Sequence, residues 1–565
     1  MSCAISNPGW NMYVFRDGRR TVSGTELVTC LRAALLRWRS ATPEDCEDRL
    51  LAALIAAGEL ECALLDGSEG NASLPDISCE IASEITDALA EGLFTKHKDS
   101  LSSILQKVEQ LRIGDRCEVA VQEGFAYYAL HPRKVAMLIE ELGYGTRLET
   151  CVCVLGIRSI GVTLGAVACA ALTLRGIPCR RISVRPTGHP YDRRLEVSPL
   201  LRQWIELAGD AEFLIIDEGP GISGSSFLAV AEALEGCGVA NSRIHLIGSR
   251  AVDPATLRAA DASRRWRRYH FHLIQSAPLA PPGAGMDISG GEWRRHFRYP
   301  ADTMPAAWPS LEPARFLARD EQSIFRFEGF GHYGEAVGAR AALLADRGYA
   351  PRYLGHRRGF GEYALVPGRT LTLADCSREL LERMASYLAL RCTGFASQAE
   401  QTPELETMLR WNWLNEFGEE LAGAESQMNT ERVAICDGRM LPHEWLRTEP
   451  GVLLKLDAGT HGDNHFFPGP CDIAWDVAGT IVEWQIGGNA RDYFVGEYMR
   501  RSGDTIRERL HPYLLAYTTF RMGWSRMAAA AMQGEFDAAL LERDYQRYRT
   551  QAQFLRLRSG AAQSA

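Results

Sequence analysis

Apolar positions in the first 95 residues recur at intervals of three and four. "ELVTCLRAALLRW" (26–38), "EDRLLAALIAAGELECALL" (47–65) and "EIASEITDALAEGLF" (80–94) therefore predict three helices, preceded by a short strand-like piece, "MYVFRDG" (12–18). From about 110 to 275 the pattern alternates. Short apolar runs, "TCVCVLGI" (150–157), "CRRISVRP" (179–186), "EFLIIDEG" (212–219) and "RIHLIGSR" (243–250), are interleaved with the helical "VTLGAVACAALTLRG" (162–176) and "SSFLAVAEALEGCG" (225–238). Strand, helix, strand at this spacing predicts a parallel sheet covered by helices, with ligands bound at the carboxyl ends of its strands. Residues 276–319 lose all periodicity and are rich in proline and glycine, the pattern of a linker. Beyond them, strand-like pieces give way to long helical patterns such as 519–557, which predicts an α+β domain with a large helical part.

The expected architecture is therefore α/β and α+β multidomain. A mostly helical region covers 1–95, a parallel-sheet domain 96–275, a linker 276–319 and a two-part domain 320–565. A chain of 565 residues is long enough for several cores of ~100–200 residues each. Its 46% hydrophobic and 24% charged residues are ordinary for a soluble globular protein. The net charge of −9 argues against a general nucleic-acid or anionic-membrane binder, so an anionic ligand needs a local site. The fifteen cysteines include no CxxC pair. With no apolar leader and no run of ~18 apolar residues, they read as free thiols of a cytoplasmic protein without nucleic-acid or membrane partners.

One local pattern carries chemistry. The strand "FLII" (213–216) ends in Asp217 and Glu218, followed by a loop containing Gly219, Gly221, Ser223, Gly224, Ser225 and Ser226 that opens a helix. Backbone N–H groups, serine hydroxyls and the helix N-terminus converge there as they would on a phosphate. Two carboxylates beside a phosphate need another partner, and the hydroxyls of a ribose, or a Mg²⁺ carried with the ligand, supply one. The stretch resembles the phosphoribosyl pyrophosphate (PRPP) motif of type I phosphoribosyltransferases, with a loop one residue longer through "GPG". The resemblance implies that Arg158, Ser159 and Gly161, in "LGIRSIGVTLGAV" (155–167), form the loop that holds pyrophosphate. It also implies that "SVRPTGHPYDRRL" (183–195) is a mobile loop offering Arg185, His189, Arg193 and Arg194. The implied reaction is displacement at C1 of PRPP with Mg²⁺, and the implied assembly is a homodimer. The aromatic stretch "VQEGFAYYALHP" (121–132) reads either as core or as a surface that stacks an acceptor base.

The C-terminal part raises a second possibility for chemistry. Strands ending at Asp437 and Asp457, with "DIAWDVAG" opening a helix at Asp472, resemble the aminoglycoside-phosphotransferase-like small-molecule kinases. The resemblance implies ATP as co-substrate, Asp437 as catalytic acid, Asp457 as metal ligand and His443 or Glu444 in place of a missing metal-binding asparagine. Arg326 stands where a phosphate-binding lysine is expected, with Glu335 on the next helix as its partner. His461, Asp463 and His465 offer an HxDxH spacing, read as loop hydrogen bonding rather than a metal site. Two functional readings follow. The first is a PRPP-dependent transferase fused to a small-molecule kinase. The second is a regulatory protein that binds PRPP or nucleotide with a degenerate kinase domain, or a kinase with a PRPP sensor.

Overall fold

The structure is a computed structural model describing residues 19–68, 77–95, 98–143, 151–275, 277–398, 404–421, 426–462, 464, 466–467 and 469–563. The strand-like piece at 12–18, Asp463 and His465 lie outside the described residues. Four helices, α1 (Gly24–Arg39), α2 (Cys46–Ser68), α3 (Ile77–Thr95) and α4 (Leu101–Gln110), form the N-terminal bundle. Ser23 starts α1 by accepting the Glu26 N–H at 3.0 Å. Helix α2 is buried continuously from Ala53 to Leu64, because other elements cover it on every side. Even its acids are internal. Glu61 binds the Arg181 guanidinium through both oxygens, at 2.7 and 3.1 Å, and Glu59 accepts the Tyr333 hydroxyl at 2.5 Å. Arg181 and Tyr333 belong to the two regions that follow, so α2 fastens both to the bundle.

The second region is a five-stranded parallel sheet of β1 (Val152–Ile157), β2 (Cys179–Val184), β3 (Glu212–Ile216), β4 (Ile244–Gly248) and β5 (His270–Leu273), in the order β2-β1-β3-β4-β5. Strand β1 is buried at all six positions, as a strand covered on both faces must be. Helices α5 (Ile160–Leu174) and α6 (Ser225–Gly236) make the crossovers out of β1 and β3. The chain leaves β1 toward one side and β3 toward the other, so the carboxyl ends of these strands flank the crevice where such sheets receive ligands.

Residues 276–319 depart from the linker expected of them. Ala284–Asp287 forms a strand, β6, that pairs antiparallel with β7 (Arg315–Ala318). Hydrogen bonds to a distant strand, which composition does not report, override the local proline and glycine content. The β6–β7 pair opens a five-stranded antiparallel sheet ordered β6-β7-β8-β10-β9, completed by β8 (Ser323–Phe327), β9 (Tyr353–Arg357) and β10 (Phe360–Ala364). Helix α7 (His332–Asp346) connects β8 to β9. The remainder is mainly helical: α8 (Arg378–Gly394), α9 (Glu404–Phe417), α10 (Ala474–Glu483), α11 (Gly488–Ser502), α12 (Leu510–Ala531) and α13 (Phe536–Gln563). Strands β11 (Trp445–Thr448) and β12 (Leu453–Lys455) pair antiparallel as a hairpin. The chain thus combines a parallel sheet with a C-terminal unit of one β lobe and one helical lobe. Among the described residues no helix is long and apolar enough to cross a membrane.

Candidate functional site

At the crevice of the parallel sheet, the β1–α5 turn approaches β3 so closely that only glycine fits at 161. A Cβ there would lie 2.6 Å from the Ile216 carbonyl oxygen. Asp217 and Glu218 follow immediately on β3. Burial pushes the Asp217 carboxyl up to about 7, against the opposing pull of a 2.8 Å hydrogen bond from the Glu218 N–H and of Arg193 on the hairpin formed by residues 187–194. Burial, and then the neighbouring Glu123, pushes Glu218 up to about 8. Glu218 accepts the Gly124 N–H at 2.7 Å, and the Arg250 guanidinium stays 3.9 Å away. The pair therefore resists ionisation, because nearby cations compensate its negative charge poorly.

The loop after the acids turns at Gly221 and Gly224, both at positive φ, and Gly224 caps α6. Its serines do not stand open as expected for a phosphate cradle. Ser223 and Ser225 donate to the Pro190 carbonyl at 2.8 and 2.6 Å, which latches the hairpin 187–194 onto the loop, while Ser226 sits in the first turn of α6. His189 Nδ1 accepts the Tyr191 N–H at 3.2 Å inside that hairpin. Arg193 is half-buried there, and Arg194 pairs with Asp192 at 3.5 Å in solvent.

The expected pyrophosphate arginines are engaged as well. Arg158 donates to Asp66 at 3.1 Å and to Ser183 Oγ and O at 3.3 and 3.2 Å. Arg185 grips the same Asp66 through Nε at 2.6 Å and Nη2 at 2.5 Å. Ser159 immediately precedes α5 without a side-chain cap bond.

The second candidate site is a cleft of ≈ 950 Å³ between the two lobes of the C-terminal unit, lined by Arg315, Arg439, Glu444, Lys455, Asp457 and the segment 293–306 among others. Asp457 holds a left-handed backbone (φ +51), a conformation that costs energy for a non-glycine residue. Arg315 approaches it at 2.8 Å and Arg326 at 3.7 Å, and together they hold its carboxyl far below the usual range despite burial. Glu335 does not partner Arg326. It turns outward to Arg37 and Arg49 of the N-terminal bundle, each at 2.6 Å. The acid that shares the β8 face with Arg326 is Glu328, bonded to the Tyr363 hydroxyl and pushed up to about 7 by burial.

Asp437 is not on the cleft surface. It is buried against Lys455 at 3.3 Å, the Tyr387 hydroxyl and Arg391 at 3.8 Å. Its backbone N–H and that of Gly438 donate to Asp476, at 2.7 and 2.9 Å, so Asp476 holds this loop. Asp472, the helix acid suggested by the sequence, instead binds Arg509 at 3.1 Å. Glu444 pairs with Lys455 at 3.0 Å and with Arg439 at 3.3 Å. His443 stacks on Trp293, and burial lowers its imidazole to about 4.

Sequence reasoning missed Asp66, Glu328 and Lys455. Only Lys455 left a signal, as a lone cation in the apolar run "VLLKL". The segment 121–132 runs between the two sites: Arg250 lies over Tyr128 at 4.9 Å, and Tyr127 meets His461 edge-on at 5.3 Å.

No group of three or more His, Cys, Asp or Glu among the described residues is placed to hold a metal ion by itself. Asp217 and Glu218 suit a Mg²⁺ delivered with a ligand that provides most of its oxygens. Asp457 does not suit a metal in this arrangement, because two guanidinium groups already neutralise it.

No family model and no curated relative matches the chain. Among solved structures it is similar to a choline kinase, LicA, from Streptococcus pneumoniae, at 15% identity over 42% of this chain and 88% of that one, with a TM-score of 0.30. It is similar to a Plasmodium vivax ethanolamine kinase at 11% identity over 42% and 79%, with a TM-score of 0.29. It is also similar to the macrolide 2'-phosphotransferase MphH from Brachybacterium faecium at 17% identity over 42% and 88%, with a TM-score of 0.28. The substrates in those names belong to those proteins.

Proposed function

We propose that the protein is a PRPP-dependent phosphoribosyltransferase, built on the parallel sheet and joined to a kinase-like unit that binds a nucleotide of the ATP type. The observation that carries the reading is the poorly compensated pair Asp217–Glu218 at the switch point of the sheet, followed at once by a glycine-serine loop on the N-terminus of α6. In this reading the carboxylates receive the ribose hydroxyls, and the loop amides receive the 5-phosphate once hairpin 187–194 swings off Ser223 and Ser225. Mg²⁺, when bound with PRPP, neutralises the leaving pyrophosphate. Arg193 faces the acids from the hairpin and closes behind the ligand, keeping water from the reacting carbon.

For the kinase-like unit the supported role is narrower. Asp437 is tied to Lys455, and Asp457 to two arginines, so neither is free to orient a nucleophile or bind a metal. Nucleotide binding in the cleft, with the half-exposed Arg439 facing phosphates, fits this arrangement better than rapid phosphoryl transfer. Calorimetric titration of the full chain with PRPP and Mg²⁺, and separately with ATP, tests both parts. Micromolar PRPP binding is expected. Heat from ATP alone would leave only the cleft and remove the transferase reading.

A further inference from the structure

The N-terminal bundle reaches into the anion site of the parallel sheet through one residue. Asp66 lies in the last turn of α2, and the two arginines it binds come from separate places: Arg158 from the β1–α5 turn and Arg185 from just beyond β2. Its two oxygens face Arg185 as a fork, at 2.6 and 2.5 Å, and one of them also takes Arg158 at 3.1 Å. A carboxylate bidentate on one guanidinium and bridging to a second reproduces how such a pair grips a phosphate oxygen pair. The side chains of Arg158 and Arg185 are only 5% and 16% exposed, and that of Asp66 is 20% exposed, so the three charges meet largely out of water. Cys62, one turn earlier on α2, lies 3.3 Å from Arg185 Nη2 and closes the same side.

We infer that Asp66 is an internal stand-in for the pyrophosphate group: it occupies the two-arginine subsite in the ligand-free chain and must leave when an anionic ligand enters. The inference rests on the PRPP reading of the crevice. It gives the N-terminal bundle a part in that site, holding the arginines paired while the subsite is empty and releasing them to the ligand. The inserted acid weakens every anion by the same factor, set by the fraction of time the subsite is open.

The test compares the wild-type full chain with Asp66→Asn and Asp66→Ala by calorimetry, using inorganic pyrophosphate with Mg²⁺ and then PRPP with Mg²⁺. Thermal unfolding of each variant reports whether it stays folded. Both ligands are expected to bind the variants about tenfold more tightly, the gain that follows when an open state populated near one tenth becomes dominant. Unchanged or weaker binding by folded variants, with wild-type PRPP binding intact, overturns the inference and leaves the PRPP reading standing, with Asp66 only positioning the arginines. No binding of either ligand to any of the three proteins removes the reading and the inference together.

Discussion

The two candidate sites use the same residue type in opposite electrostatic states. In the crevice of the parallel sheet, Asp217 and Glu218 are raised to about 7 and about 8, because burial is poorly compensated and Glu123 adds like charge. In the cleft between the lobes, Asp457 and Glu444 are driven below the usual carboxylate range, because Arg326, Arg315, Lys455 and Arg439 surround them. Charge left uncompensated in a folded protein lowers its stability and raises its affinity for whatever supplies the missing counter-charge. Charge already compensated internally holds two lobes together and leaves little for a ligand. On this ground the crevice is the more ligand-hungry of the two sites, although the cleft is large and well formed.

The strongest way to break this contrast is the double variant Asp217→Asn with Glu218→Gln. Each carboxylate lost to a ribose hydroxyl should cost about 1.5–3 kcal/mol, so PRPP affinity should fall by at least about a hundredfold. The fold should be unharmed or steadier, since two poorly compensated charges disappear. PRPP titration and thermal unfolding of the same sample read both effects, and retained affinity would reject the site. The reverse is expected for Asp457→Asn, which leaves Arg315 and Arg326 facing a neutral amide. That change should destabilise the chain by about 2 kcal/mol, below the full value for a buried pair because the group keeps some solvent contact. It should hardly move PRPP affinity. Denaturant midpoints for wild type and variant settle this point.

How these sites were legible follows from how far their signals reach along the chain. The run "FLIIDEGPGISGSS" carries strand, acids, turn glycines and helix start within fourteen residues, so its layout is visible in the sequence. The bond from Arg158 to Asp66 spans 92 positions and that from Arg185 spans 119, so no local pattern announces them. Glu335 sits at a plausible helical position for an Arg326 partner. Its actual partners depend on where α1 and α2 dock, which no spacing within 324–348 contains. The strand at Ala284–Asp287 was hidden for the same reason: its pairing with β7 is a tertiary fact, while the surrounding prolines are a local one. The depth of Asp437 was equally hidden, since a strand ending in an acid does not say whether the acid faces a cleft or the core.

A pH series sharpens the comparison with a smaller effect. The folded-state values of Asp217 and Glu218 lie above the unfolded references of about 3.9 and 4.3, so the folded chain binds more protons than the unfolded chain between roughly pH 4 and 8. Their contribution favours the fold on the acid side and fades as pH rises through about 7 and 8. Asp457 has the opposite sign: its folded value is depressed, so its contribution is present above about pH 4 and is lost as pH falls below that. Relative to the double variant, wild type should lose stability steadily between pH 5 and 8, most of it before pH 8. Parallel stability curves for the two proteins would contradict the raised values.

The smallest effect is expected from Glu335→Gln, and it tests the C-terminal unit where the sequence and the structure disagree. If Glu335 served Arg326 in the cleft, its loss would weaken ATP-type nucleotide binding. It instead bridges Arg37 and Arg49 at the junction with the N-terminal bundle, where the three side chains are 32%, 55% and 40% exposed. Pairs that wet contribute under about 1 kcal/mol and are screened by salt. The variant should therefore lower the unfolding temperature slightly at low ionic strength, lose that difference in high salt, and bind nucleotide as wild type does. A clear fall in nucleotide affinity would put Glu335 back beside Arg326 in a ligand-bound arrangement of the lobes. The cleft acids would then be exchangeable between partners rather than committed to the ones they hold here.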